Sequence, residues 1–332
     1  MKNSRWINFV CLLFCFGAAA RIGAGQDGRW AILISGASGD PGLQKLYLKE
    51  ISDLYRVLEG TFEIPRDRIF VLFDNPAMNP ELIQYKSTRE NLQQVCHNLA
   101  GRVTKEDTVF VFIEGHGNYD RDVYKLNLVG RYDPTAEDVA SMLYSIPAKR
   151  FIVANMTNCS GGSIPALSRK GTILITATKS GMEKNQTRIG RYFVEAFVAN
   201  AADSDKNDRV SLLEAFAFAS HRVDEYYQSE GYLKTEHAVL EDNGDAQAQS
   251  DPTPENGEGI LASTTFLDTG VPDLRLKGLT PEQQKLALEA QELMKQIESL
   301  KYEKSEIPEA EYEKRLEDLL LRLARINEKL PH

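Results

Sequence analysis

The strongest constraint on this chain's fold is a series of short runs with no polar face. They are Trp30-Ala-Ile-Leu-Ile-Ser35, Arg68-Ile-Phe-Val-Leu-Phe73, Thr108-Val-Phe-Val-Phe-Ile-Glu114, residues 150–155 and Thr172–Thr178. β-Branched and aromatic residues fill them without alternation, so each predicts a strand buried on both sides. Between them apolar residues recur at helical spacing: Leu43, Leu46, Tyr47, Ile51, Leu54, Tyr55 and Leu58. A second helix is expected over Ser87–Leu99, opened by a Ser87/Glu90 capping box, and a third near Thr135–Tyr144. Strand and helix in alternation give the α/β class, a mostly parallel sheet with helices on both faces. In such sheets sites gather at the carboxyl ends of strands.

Two of those strand ends carry chemistry. The 108–114 strand runs into Gly115-His116-Gly117, and the strand over 150–155 runs into Asn158-Cys159-Ser-Gly-Gly-Ser163. Attack by a thiolate on an acyl carbon needs an accessible cysteine, a base beside it and backbone donors for the oxyanion. Here the glycine-rich turn supplies unhindered amides, and Gly117 lets the chain beside His116 approach a substrate. A lone cysteine at a strand end reads more readily as a small core residue. The companion histidine tips the reading toward a cysteine hydrolase. Gly36-x-x-Gly39-x-x-Gly42 is the sort of turn that cradles a dinucleotide, yet no Tyr-x-x-x-Lys occurs in the chain, and no organic cofactor is expected.

The N-terminus reads as a signal peptide over residues 1–24. Lys2 and Arg5 precede an apolar run from Trp6 to Phe16, too short to span a bilayer, and small residues follow. The expected location is therefore secreted or periplasmic. Removal of that segment takes Cys11 and Cys15, leaving Cys96 and Cys159, which is no disulfide framework. A Cys96–Cys159 bridge would silence the nucleophile, and Cys96 reads better as a buried helix residue. The net charge of −9 becomes more negative without Lys2, Arg5 and Arg21, which argues against nucleic acid as a partner.

A helix is expected over Arg188–Ala201 and another up to about Tyr227. Between them, Asp203, Asp205, Asn207 and Glu214 match the oxygen-ligand spacing of a calcium loop, with Arg209 offering its carbonyl and Ser211 at the ninth position. Asp208 stands where a turn glycine is usual, and Asp tolerates the left-handed conformation. A structural Ca²⁺ is expected there. The competing reading is a Ser211/Glu214 capping box with acids favouring a helix N-terminus.

The expected domain runs over 25–242, followed by a mobile linker over 243–279 in which Ile260–Leu267 reads as an edge strand. From 280 to 332 the composition turns to Leu, Glu, Lys and Gln. Leu286, Ala290, Leu293, Ile297 and Leu300, then Tyr312, Leu316, Leu319, Leu323, Ile326 and Leu330, step by threes and fours around Pro308. This predicts an antiparallel helical hairpin with coiled-coil-like seams. Its role stays open between packing on the domain, joining a partner or a second copy, and acting as a spacer.

The motifs WAILISGASG, VFVFIEGHG and FIVANMTNCSGGS together resemble the caspase-like cysteine peptidases, and among them the legumain family. The His116-to-Cys159 interval suits caspase-type spacing. The resemblance spans roughly residues 30–240. It implies a caspase-like sheet and a peptide or protein substrate. Cys159 would attack the carbonyl, His116 would assist the leaving amine, and the amides of Gly117 and Cys159 would hold the oxyanion. Ser38 falls where legumains carry the asparagine that supports the histidine. Thr157 and Arg191 fall where they carry pocket acids. Arg191 in place of an acid implies a preference for an acidic side chain before the scissile bond. A catalytically inactive binding or scaffold module of the same fold is the alternative.

Overall fold

The computed structural model describes residues 28–253, 256–268, 280–304, 307–327 and 329. The expected signal peptide lies outside them. The order is β1 (Arg29–Ser35), α1 (Pro41–Arg56), β2 (Ile69–Phe73), β3 (Tyr85–Lys86), α2 (Arg89–Ala100), β4 (Thr108–Glu114), β5 (Gly117–Asp120), β6 (Val123–Leu126) and α3 (Ala136–Leu143). Then come β7 (Arg150–Asn155), α4 (Ile164–Leu167), β8 (Thr172–Thr176), α5 (Ile189–Phe197), α6 (Leu212–Ser229), β9 (Val239–Glu241), α7 (Ile260–Ser263), α8 (Pro281–Glu303) and α9 (Glu309–Asn327).

Seven strands form one sheet in the order β3-β2-β1-β4-β7-β8-β9, parallel except for the pairing of β8 with β9. The uniformly apolar runs are buried because both faces are covered. Ala31 and Leu33 point into a core shared with Tyr47, Ile51 and Leu54 of α1 and with the apolar sides of α5 and α6. Trp30, Ile32 and Ile34 point the other way, against Leu92, Val95, Cys96 and Leu99 of α2 and Val139 and Leu143 of α3. The expected α/β sheet flanked by helices is present.

Several local expectations change. The cap of α2 is Thr88, whose Oγ1 accepts from Asn91 N at 3.2 Å, and Ser87 is buried one residue outside the helix. The expected strand over 260–267 is replaced by α7, because the Asp242 carboxylate accepts from Gly259 N and Ala262 N at 2.9 and 2.7 Å and fixes a helical turn. The expected linker is tied to the sheet where described: Leu240 and Gln249 exchange two 2.8 Å backbone bonds. In the C-terminal pair, Leu286, Ala290 and Leu293 of α8 pack against Leu319, Leu323 and Ile326 of α9, an antiparallel hairpin. Among the described residues no helix is long and apolar enough to cross a membrane.

Candidate active site

Parallel pairing of β4 with β7, in a register that sets Ile113 opposite Asn155, brings the segments after both strands out at the same edge. A hydrogen bond of 3.0 Å from Gly117 N to Asn158 Oδ1 then joins the residue after His116 to the residue before Cys159. Gly117 has no room for a side chain, since a Cβ would lie 2.5 Å from Asn158 O and 2.5 Å from the Tyr124 ring. Glycine is needed here for close packing against Asn158 and Tyr124, a reason other than the approach of a substrate expected above.

Cys159 sits in the left-handed region at φ 60° and ψ 4°. For a residue with a Cβ this costs on the order of 1–3 kcal/mol, and such outliers gather at functional sites. Cys96 and Cys159 are both free thiols. Burial pushes Cys96 up to about 12, which leaves it inert. Burial also raises Cys159, but the Lys184 charge, the Asn158 amide and the Tyr119 backbone N–H all pull it back. The Asn158 amide donates to Sγ at 3.5 Å. Burial wins, so in this closed arrangement the thiol stays above its usual range, while the three neighbours offset part of that cost. His116 is half-buried, with its ring edge-on to Tyr47 at 6.1 Å between centroids. Among the described residues no hydrogen bond joins the imidazole to the thiol.

The oxyanion donors expected at Gly117 and Cys159 are both in use. Gly117 N serves Asn158, and Cys159 N donates to Glu183 O at 2.8 Å. Buried amides do not stay unpaired, and here the protein itself supplies the acceptors. The turn amides of Gly161 and Gly162 are likewise spent, on Thr178 Oγ1 and Cys159 O at 2.9 Å each. The segment 179–187 covers the cysteine, which is 1% exposed. It packs so tightly that a Cβ on Gly161 would stand 2.2 Å from Ser180 N. Asn158 Nδ2 donates to Lys184 O at 3.0 Å, and the Glu183 carboxylate takes bonds from His237 Nδ1 at 2.7 Å and His237 N at 3.1 Å.

The residues carried over for substrate recognition are placed differently. Thr157 is fully buried, and its hydroxyl lies 2.8 Å from Asn155 Oδ1 and 2.7 Å from Tyr124 Oη. Ser38 gives its hydroxyl to Asp74, and its amide also faces Asp74, at 3.3 Å, so it is committed elsewhere than to His116. Arg191 is exposed, 5.1 Å from the Tyr192 ring. Its helix does reach the site edge, because Gly190 lies directly against Glu114.

Sequence reasoning does not single out Glu114, although an acid closing the apolar run VFVFIE is an anomaly there. It is 4% exposed, and Glu50 of α1 is 6% exposed beside it. Burial, then the Glu50 charge, holds Glu114 well above the usual carboxylate range. Burial also pushes Glu50 up to about 7, against the hydrogen bond from Glu114 and the Arg191 charge. The bond between them lowers Glu50 and raises Glu114, so Glu114 donates the proton and Glu50 accepts it, while Glu114 Oε2 has no hydrogen-bond partner. This proton-sharing pair lies two residues from His116.

The calcium-type loop holds Asp203, Asp205 and Glu214 with carboxylate oxygens within 4.8 Å of one another. Asp208 adopts φ 64°, as its place in the motif requires. Both Glu214 oxygens are engaged: Oε1 accepts from Ser204 and Oε2 from Ser211, which completes the expected capping box. Asn207 Oδ1 accepts from Arg209 N at 2.9 Å, and the Arg209 side chain pairs with Asp268 at 2.9 Å.

No protein-family model matches the chain, and no curated protein does. Among solved structures, the protein GSU0716 from Geobacter sulfurreducens is similar at 10% identity and a TM-score of 0.44, over 70% of this chain and 97% of that one. A likeness of that size carries no argument about fold or chemistry.

Proposed function

We propose that the chain is a cysteine endopeptidase acting after export, with Cys159 as nucleophile and His116 as the general acid and base. The observation that carries this reading is the strained Cys159, tied through Asn158 to the Gly-His-Gly segment of the neighbouring parallel strand. Strain at a thiol already provided with an amide donor, a lysine charge and a histidine-bearing neighbour serves reactivity better than packing.

The closed arrangement defines the first step. A peptide carbonyl can reach the oxyanion donors only after Glu183 O leaves Cys159 N, so movement of the 179–187 segment precedes binding. Cys159 Sγ then attacks the scissile carbon, and the carbonyl oxygen takes the freed amide. The proton from the thiol passes to His116 and on to the departing amine, leaving an acyl-enzyme. Water, deprotonated by His116, attacks that thioester; the C–S bond breaks, the new carboxyl end of the peptide departs, and His116 returns the proton to Cys159. Arg191, at the start of α5, would pair with an acidic side chain before the scissile bond. The loop over Asp203–Glu214 would hold a structural Ca²⁺ through Asp203, Asp205, Asn207, the Arg209 carbonyl and Glu214.

Cleavage of a mixed peptide library by the protein beside Cys159→Ala tests the reading. Cleavage lost in the variant supports it, and cut sites without enrichment of Asp or Glu remove the role given to Arg191. An inactive binding module is favoured by one observation, the covered thiol, and it would show no cleavage even with the segment released.

A further inference from the structure

We propose that Glu241, Asp245 and Glu258 bind a calcium ion that pins the loop following β9 to the segment leading into α7. Three carboxylates meet there, each offering an oxygen within 4.8 Å of the others. Ca²⁺ sits about 2.4 Å from its oxygen ligands, so two ligands on opposite sides of one ion are about 4.8 Å apart. Every pair here meets that limit, as the ligands of one ion must.

A cluster of acids is common without an ion, but here two members are unsatisfied in the interior. Glu241 is 0% and Glu258 1% exposed. Glu241 Oε1 accepts from Gly244 N and Asp245 N at 2.5 and 3.0 Å, and Glu258 Oε2 accepts from Asp242 N at 2.7 Å. The opposite oxygens, Glu241 Oε2 and Glu258 Oε1, have no hydrogen-bond donor. Asp242, the remaining buried acid, spends both oxygens on Gly259 N and Ala262 N. Leaving carboxylate oxygens buried and unpaired is costly, and a hard cation removes that cost. Asp245 is exposed and gives the ion a way in from solvent. The Asp203–Glu214 loop differs in kind, since both oxygens of its glutamate already have donors.

The site is independent of the peptidase reading, and its test needs no activity. Calcium titration by calorimetry and thermal unfolding would use the mature chain carrying Asp203→Asn and Asp205→Asn, so that the other loop cannot contribute. The expected result is about one Ca²⁺ per chain and a Tm that rises with calcium. Adding Glu258→Gln should abolish both, while Tm in EDTA stays at or above that of the parent. Should that variant fail to fold, the exposed Asp245→Asn should weaken Ca²⁺ binding at least tenfold. No Ca²⁺ bound at about 1 mM by the parent, or binding that survives Glu258→Gln or Asp245→Asn undiminished, overturns the proposal.

Discussion

Replacing Glu183 with alanine should make Cys159 reactive without changing the site itself. The Glu183 side chain holds the covering segment through His237 Nδ1 at 2.7 Å and His237 N at 3.1 Å, while its backbone oxygen occupies the Cys159 amide at 2.8 Å. Hydrogen bonds to a charged group contribute about 1.5–3 kcal/mol when sheltered. His237 is 37% exposed, so solvent screens its part and about 1–2 kcal/mol is the appropriate loss. That favours the open segment by roughly 5–30-fold. If opening equilibrates faster than alkylation, the rate of Cys159 modification by iodoacetamide should rise by about the same factor. Mass spectrometry of the modified peptide reads it, and Cys96 in α2 is the internal control. An unchanged Cys159 rate, or an equal rise at Cys96, would refute the idea that the Glu183–His237 contact closes the site.

Gly117→Ala places a Cβ 2.5 Å from Asn158 O and should cost about 1–3 kcal/mol in chemical denaturation, as overpacking does; a neutral result would contradict the close approach. Glu50→Gln should flatten the dependence of stability on pH. The folded carboxyl titrates near 7, above its usual 4.5, so its contribution is complete below pH 4.5 and is lost as pH rises through 7. Wild type should therefore lose about 3 kcal/mol more than the variant between about pH 4.5 and pH 8, and parallel curves would rule out the shared proton. Arg191→Glu should abolish any preference for acidic substrates and leave cleavage of neutral ones within about threefold.

The parallel sheet was legible because its strands are buried on both faces, which the amino acids state outright in runs such as Val109–Ile113. The β5–β6 hairpin was not, because its turn uses Arg121 and Asp122 at φ 49° and 61° where glycine or asparagine would have announced it. In the site, His116 and Cys159 could be placed from their strand ends alone. Thr157 and Ser38 could not, since a position beside the nucleophile does not reveal where a hydroxyl points; one turns into the Asn155–Tyr124 network and the other toward Asp74. The cover over Cys159 comes from residues 179–187 and is held by His237, contacts between distant parts of the chain that no local pattern records. The contacts made by residues 243–253 and 256–258 were hidden for a related reason. Polar, Gly- and Pro-containing sequence reads as mobile, whereas Asp242 and Glu258 use it to build buried polar contacts.

The most direct test of the central claim is labelling of the released protein, Glu183→Ala, by an acyloxymethyl ketone peptide probe, alone and combined with Cys159→Ala or His116→Ala. The account expects one covalent adduct on Cys159 that disappears in both combinations while the Glu183→Ala parent cleaves peptides. No adduct in the parent, or labelling that persists without His116 at an unchanged rate, would contradict it.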